Sequence, residues 1–164
     1  MAGHETETTQ GDPMIDGVQV QKLRVIPDDR GRLMEILRSD DEVFERFGQV
    51  YVTTTYPGAV KAWHMHRLQT DHLAAIHGMF RLALYDAREG SPTRDVLQEV
   101  FMGVHNPMLV RIPPGVYHGW TCISEEEGIV VNVPDLPYDR EHPDEYRLPP
   151  DTPEIPYDWS RRAG

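Results

Sequence analysis

The chain from Asp16 onward alternates short apolar runs with clusters of turn-forming residues. The runs are rich in β-branched and aromatic side chains, which favour strands over helices. They are VQVQKLRVI from Val18, QVYVTTT from Gln49, FRLALY from Phe80, MLVRI from Met108 and GIVVNV from Gly128. Proline and glycine at residues 57–58, 89–92, 106–107 and 113–115 end strands through their fixed or positive φ. Many short strands separated by turns predict an all-β sandwich, barrel or jelly roll.

One segment has a helical pattern instead. Residues 39–42, Ser-Asp-Asp-Glu, form a capping box, in which the serine and glutamate side chains pair with the first free backbone N–H groups of a helix. Val43, Phe44 and Phe47 follow as a short apolar face, and Gly48 ends the run. The pattern therefore predicts one short connecting helix.

A chain of 164 residues has the usual length of one domain. We expect residues 1–16 to form a flexible leader, since MAGHETETTQGDP lacks the basic and hydrophobic regions of a signal peptide. Residues 17–164 then form a single domain. From about residue 134 frequent prolines exclude regular strands, yet tyrosines and a tryptophan offer apolar surface. We expect this proline-rich C-terminal tail to pack over the barrel.

The net charge limits the classes of binding partner, and the cysteine content favours one cellular compartment. The net charge is −11, and no stretch concentrates lysine and arginine, so nucleic acid and membrane surfaces are excluded as partners. A small anionic ligand stays open, because a few arginines in a pocket outweigh the average charge locally. Cys122 is the single cysteine, which excludes an internal disulfide and favours a reducing cytoplasm.

Three histidines have the spacing of a shared site. Gly58 is followed by His64, His66, Asp71 and Gly78, which resembles the first cupin motif, and a proline–glycine turn leads to His118, which resembles the second. Alternation along a strand places His64 and His66 on one face. The sequence therefore predicts a cupin-type jelly-roll barrel, a double-stranded β-helix, with a histidine-lined pocket.

Two kinds of chemistry fit these side chains. His64, His66, Asp71 and His118 are a donor set suited to iron, zinc, manganese or nickel. The same histidines, with an ordinary pKa of about 6.5, suit acid–base catalysis at neutral pH without a metal. Both readings stay open on the residues alone.

The wider sequence resembles the dTDP-4-dehydrorhamnose 3,5-epimerase family. Asp29-Arg30-Gly31 with Glu35 resembles an early block of that family, and Phe47-Gly48-Gln49 resembles its Phe-x-Gln strand. The resemblance implies that Arg30, Glu35 and Gln49 contact the nucleotide. It also implies a dimeric jelly roll that acts on nucleotide-linked keto sugars and needs no cofactor.

The same resemblance assigns catalytic roles. Lys61 stands where the family has an arginine for the diphosphate, and His64 matches the catalytic base. Asp151 is the nearest match to the aspartate that orients this base. A His–Asp pair is suited to removing the acidified proton beside a sugar ketone.

The sequence departs from the family at two positions. Asp71 stands where the family has a lysine, so His72 or His118 would have to stabilise the developing oxyanion. The family's tyrosine aligns with Val131, which leaves Tyr138 and Tyr117 as candidate proton donors. The His-x-His pair also resembles the related nucleotide-sugar 3,4-ketoisomerases, which use no metal.

We therefore expect a cytoplasmic epimerase or isomerase of a nucleotide-linked 4-keto-6-deoxysugar, with dTDP as the expected nucleotide. We expect it to be a homodimer with His66 beside the substrate. The alternatives are a metal-dependent cupin dioxygenase, isomerase or lyase, and a non-catalytic sugar-binding cupin, because a fold alone does not imply an activity.

Overall fold

The computed structural model describes residues 14–163, which form twelve β-strands. The strands are β1 (Gln19–Lys22), β2 (Val25–Asp28), β3 (Gly31–Met34), β4 (Tyr51–Thr55), β5 (Val60–Met65), β6 (Asp71–His77), β7 (Met79–Asp86), β8 (Leu97–Gly103), β9 (Met108–Ile112), β10 (Val116–Cys122), β11 (Gly128–Asn132) and β12 (Tyr146–Arg147). Within these residues there is no helix long and apolar enough to cross a membrane.

Ten of the strands form two five-stranded antiparallel sheets. One has the order β1-β9-β6-β11-β4 and the other the order β12-β5-β10-β7-β8. A single apolar core joins them, with Leu73 and Val110 from the first sheet and Phe80, Leu82 and Trp120 from the second. Full burial of such a side chain contributes about 1.5–3 kcal/mol. The predicted all-β jelly roll is confirmed.

The predicted helix after residue 39 is wrong. The segment forms consecutive turns, in which the Asp41 N–H donates to the Arg38 carbonyl at 3.2 Å and the Phe44 N–H donates to the Asp41 carbonyl at 3.0 Å. The Val43 carbonyl, which a helix would use internally, instead lies 2.8 Å from Nε2 of the buried His72. A tertiary contact thus replaces the helical hydrogen bond.

The chain after residue 134 covers the outer face of the second sheet. Strand β12 pairs with β5, and Ile155 is buried against Trp63. The rings of Tyr157 and Trp159 lie 5.6 and 5.0 Å from the Trp63 ring. The segment adds apolar area that offsets the entropy of ordering it.

At the other end, most of the expected leader, residues 1–13, lies outside the described residues. Ile15, inside the expected leader, is only 1% exposed, and its N–H donates to Oε1 of Gln98 at 2.9 Å. The packed part of the chain therefore includes residues before the predicted boundary at Gly17.

Candidate active site

A cavity of about 1270 Å³ opens between the strands and the C-terminal segment. Its walls come from β4, β5, β6, β10 and the end of β11, and its rim from residues 136–150. A volume of this size accommodates a ligand larger than a typical drug. Histidine, acidic and basic side chains therefore line one cavity in the barrel.

Strand alternation delivers the histidines to this cavity. On β5, Trp63 is fully buried in the outer apolar cluster, while His64 lines the cavity; His66 follows the strand on the same side. His118 is the register partner of His64 on the adjacent strand β10. The His118 ring lies 6.3 Å from the His64 ring and 6.0 Å from the His66 ring. The predicted convergence of the three imidazoles is present in the structure.

Asp71 joins two of these imidazoles from β6. Its Oδ2 lies 3.3 Å from Nε2 of His66 and 3.3 Å from Nε2 of His118. Its Oδ1 accepts hydrogen bonds from Nε2 of Gln69 at 2.7 Å and from Nδ2 of Asn132 at 2.8 Å. Every lone-pair direction of this buried carboxylate therefore faces a polar neighbour.

The titration of this cluster follows from its geometry. Burial favours the neutral acid of Asp71, but the hydrogen bonds from His118 and His66 outweigh it and hold the Asp71 pKa well below its usual range. Burial also favours neutral His66, yet the hydrogen bond and charge of Asp71 raise the pKa of His66 to about 9. The carboxylate is therefore ionised at neutral pH.

His64 belongs to a different pair. Its Nδ1 lies 3.3 Å from Oε1 of Glu145, and Nη2 of Arg147 donates to the same oxygen at 2.7 Å. Burial and the proximity of His118 lower the pKa of His64, while Glu145 opposes this shift. When Nδ1 donates to Glu145, Nε2 carries the free lone pair that a general base needs.

Other predicted residues also line the cavity, namely Gln49, Lys61 and Tyr138. The Lys61 ammonium group donates to Oγ1 of Thr53 at 3.1 Å and to the Thr54 carbonyl at 2.6 Å, which fixes its position on the wall. Tyr138 belongs to the rim and is 51% exposed.

Four predicted residues lie elsewhere. His72 alternates with Asp71 on β6, so it points to the opposite face and contacts the carbonyls of Val43 and Val133. Arg30 is in the β2–β3 turn and pairs with Asp28, and Glu35 pairs with exposed Arg38. Asp151 is exposed on a turn outside the cavity lining. The predictions that His72 contacts substrate and that Asp151 orients His64 are therefore wrong in this structure.

The C-terminal segment supplies site residues that sequence reasoning missed. Glu145 takes the orienting position expected of Asp151, and the Asp144 carbonyl accepts a hydrogen bond from Nδ1 of His66. On the cavity wall, the Tyr51 hydroxyl accepts a hydrogen bond from Nδ2 of Asn132 at 2.9 Å. The only sequence signal for Asp144 and Glu145 was the occurrence of acidic residues close to prolines in residues 143–150.

The comparison with protein families gives this geometry its context. The family model described as dTDP-4-dehydrorhamnose 3,5-epimerase matches residues 12–163. The chain belongs to the dTDP-4-dehydrorhamnose 3,5-epimerase family. Membership makes it an epimerase-type enzyme for sugar nucleotides in deoxysugar or glycan biosynthesis.

Three relatives in this epimerase family are similar over most of their length. Agl13 of Haloferax volcanii, described as a probable low-salt glycan biosynthesis epimerase, is 42% identical over 150 residues, covering 90% of this chain and 96% of the relative. SpsL of Bacillus subtilis, a spore coat polysaccharide biosynthesis protein, is 40% identical over 147 residues, covering 90% of this chain and 97% of the relative. The crystal structure of a dTDP sugar isomerase from Desulfovibrio desulfuricans G20 is 37% identical, with a TM-score of 0.84, covering 88% of this chain and 92% of that one.

Proposed function

We propose that the protein epimerises a nucleotide-linked 4-keto-6-deoxysugar by proton abstraction at His64. The observation that carries the proposal is the pairing of this cavity-lining imidazole with Glu145. A carboxylate on Nδ1 fixes one tautomer and stabilises the imidazolium that forms when Nε2 takes a proton. This is the arrangement of a general base.

The chemistry requires a proton on a carbon next to the ketone. When His64 removes it, the C–H electron pair forms a carbon–carbon double bond and the carbonyl π pair moves to oxygen, giving an enolate. Return of a proton to the opposite face inverts that carbon. Tyr138, at the cavity rim, is our candidate for this proton donor.

The nucleotide diphosphate needs positive charge near the cavity. Lys61 and Arg147 line it, and either side chain pairs with phosphate oxygens through charge-assisted hydrogen bonds. The amide of Gln49 lies on the same wall and provides a neutral donor and acceptor for the base or ribose. The similarity to a dTDP sugar isomerase supports dTDP as the nucleotide.

We further propose that the enzyme is a cytoplasmic homodimer. Strand β4 is an edge of the first sheet, and its neighbourhood exposes Val50, Val52 and Phe47 at 58%, 61% and 64%. An exposed apolar edge of this kind is a surface for pairing with a second copy. In such a dimer Arg30 and Glu35, which lie outside the cavity of their own chain, would reach substrate in the cavity of the partner.

Hydrogen exchange tests the function directly. Incubation with dTDP-4-keto-6-deoxyglucose in D₂O should place deuterium on the sugar ring, read by mass spectrometry and NMR. The His64→Asn variant should lose exchange, whereas His77→Asn, which changes an exposed histidine, should retain it. Exchange with UDP-linked but not dTDP-linked sugar would revise the nucleotide, and no exchange with either would overturn the proposal.

A further inference from the structure

Three donor atoms converge on one point in the cavity wall. Nε2 of His66, Oδ2 of Asp71 and Nε2 of His118 all lie within 4.8 Å of one another. The side chains of Asp71 and His118 are 2% and 5% exposed, so bulk water screens this point poorly. Two imidazoles and one carboxylate form a common donor set for divalent transition metals.

The outer hydrogen bonds orient both imidazoles toward this point. Nδ1 of His66 faces the Asp144 carbonyl, and Nδ1 of His118 faces the Val116 carbonyl at 3.2 Å. A carbonyl only accepts, so each Nδ1 carries a hydrogen, and Nε2 is the ring atom that remains to face Asp71 or a metal ion. Metal-binding histidines are oriented in this way, by donation from the other ring nitrogen to a carbonyl or carboxylate.

The carboxylate is oriented in the same manner. Gln69 and Asn132 both donate to Oδ1 of Asp71, which leaves Oδ2 directed at the two Nε2 atoms. In the metal-free site the Nε2–H groups of His66 and His118 donate to this oxygen, and binding of a metal ion would release those protons. One divalent cation would accept all three lone pairs at once.

The distances agree with coordination. Two atoms that each lie about 2.0–2.1 Å from a tetrahedral zinc ion are about 3.3–3.4 Å apart. The separations of Oδ2 of Asp71 from both Nε2 atoms are 3.3 Å, the length of a tetrahedral edge.

We propose that His66, Asp71 and His118 bind one divalent transition-metal ion, of the zinc, iron or manganese class, with an open position toward the cavity. This inference rests on the proposed function for its chemical role. The ion would sit beside the substrate ketone and stabilise the enolate oxygen that forms when His64 removes the neighbouring proton. It would supply the positive charge that an aspartate at position 71 does not.

The predicted four-residue metal set needs one change under this proposal. His64 is outside the cluster of converging donor atoms, because its Nδ1 is paired with Glu145. The site therefore separates into three metal ligands and one base. That division keeps His64 free to exchange a proton with substrate.

Cobalt titration of untagged, chelator-treated protein tests the site without reference to activity. Co²⁺ in a site with imidazole and carboxylate ligands gives visible absorption bands, and the wild type should bind one ion per chain. His66→Asn and Asp71→Asn should lose the bands, while His64→Asn and the surface control His77→Asn should keep them. Thermal unfolding with and without Zn²⁺ should show stabilisation by Zn²⁺ in the wild type, His64→Asn and His77→Asn. It should show none in His66→Asn and Asp71→Asn.

The outcomes separate the metal site from the proposed function. Cobalt uptake that is absent in the wild type, or equal in Asp71→Asn and the wild type, overturns the metal site. Specific uptake with metal-dependent deuterium exchange supports both, and we expect removal of the metal to lower exchange by roughly 10²-fold. Specific uptake with exchange unchanged by the metal overturns the role for the ion, and specific uptake without any exchange overturns the proposed function alone.

Discussion

Oε1 of Glu145 lies 3.3 Å from Nδ1 of His64, although 81 residues separate the two along the chain. The contact exists because β12 pairs with β5, placing Arg147 beside His64 in register. Arg147 holds the same carboxylate oxygen at 2.7 Å and thereby limits the rotamers of Glu145. The C-terminal segment thus positions the proposed base, in addition to covering the barrel.

Glu145→Gln should lower kcat for deuterium exchange by roughly 10–100-fold and change KM little. The amide retains the size of the side chain, but its NH₂ group can donate to Nδ1 and so stabilise the wrong tautomer of His64. Steady-state exchange measured by mass spectrometry separates kcat from KM. Asp151→Asn is the matched control and should behave as the wild type. An equal loss in both variants, or in Asp151→Asn alone, would contradict the assignment.

Two ring carbons flank the ketone of a 4-keto sugar. Tyr138→Phe should reduce deuterium incorporation at one of these two carbons and leave exchange at the other unchanged. Removal of the hydroxyl takes away one proton donor, while His64 continues to abstract protons. NMR of the product resolves the two carbons. Tyr51→Phe is the comparison, because Tyr51 also lines the cavity, and burial together with the charge of Asp71 raises its pKa to about 12. If only Tyr51→Phe gives the single-carbon pattern, the donor is Tyr51.

The histidines were predictable from the sequence because their arrangement is local. Period-two alternation puts His64 and His66 on one side of β5, and a turn at residues 113–115 leads into β10 and His118. The same rule also reveals the error at position 72. Once Asp71 faces the cavity, the next residue of a strand must face away, so His72 could not share the pocket.

The orienting residue and the turn after residue 39 were not predictable in this way. Glu145 reaches His64 through a two-residue strand in a proline-rich segment, where periodicity carries no information. Gly48 has the position of a helix stop, yet a Cβ there would lie 2.3 Å from the Leu136 backbone carbonyl carbon. The glycine is required by a contact with a segment nearly 90 residues away, which local sequence patterns do not encode.

His72→Ala should destabilise the fold by about 2–4 kcal/mol without a specific effect on substrate binding. The ring nitrogens lie 2.9 and 2.8 Å from the carbonyls of Val133 and Val43, so removal of the ring takes the hydrogen-bond donor from at least one of these acceptors, at a cost of about 1–3 kcal/mol. It also leaves a cavity in place of a fully buried side chain. Urea denaturation of the variant and the wild type measures the loss. His77→Ala, an exposed control, should stay within about 0.5 kcal/mol. A raised KM with unchanged stability would instead restore His72 to the substrate site.

Asp86→Asn should destabilise the protein by about 3 kcal/mol at neutral pH, because it removes the charge of a fully buried carboxylate paired with Arg88. Burial alone would raise the pKa of Asp86, but hydrogen bonds from Arg88, Ser91 and Thr93 hold it well below its usual range.

A carboxyl group with a depressed folded-state pKa stabilises the fold above the unfolded-state pKa, about 3.9, and loses that contribution as the pH falls toward the folded-state pKa. The difference between variant and wild type should therefore be full at pH 7 and shrink below about pH 4. Urea denaturation across this pH range measures it. Asp40→Asn is the control at the same two-residue spacing, since its pair with Arg38 is exposed and solvent-screened, so its loss should change the free energy of unfolding much less. Equal effects of the two substitutions, or a difference for Asp86→Asn that grows in acid, would show that the buried ion pair does not stabilise this turn.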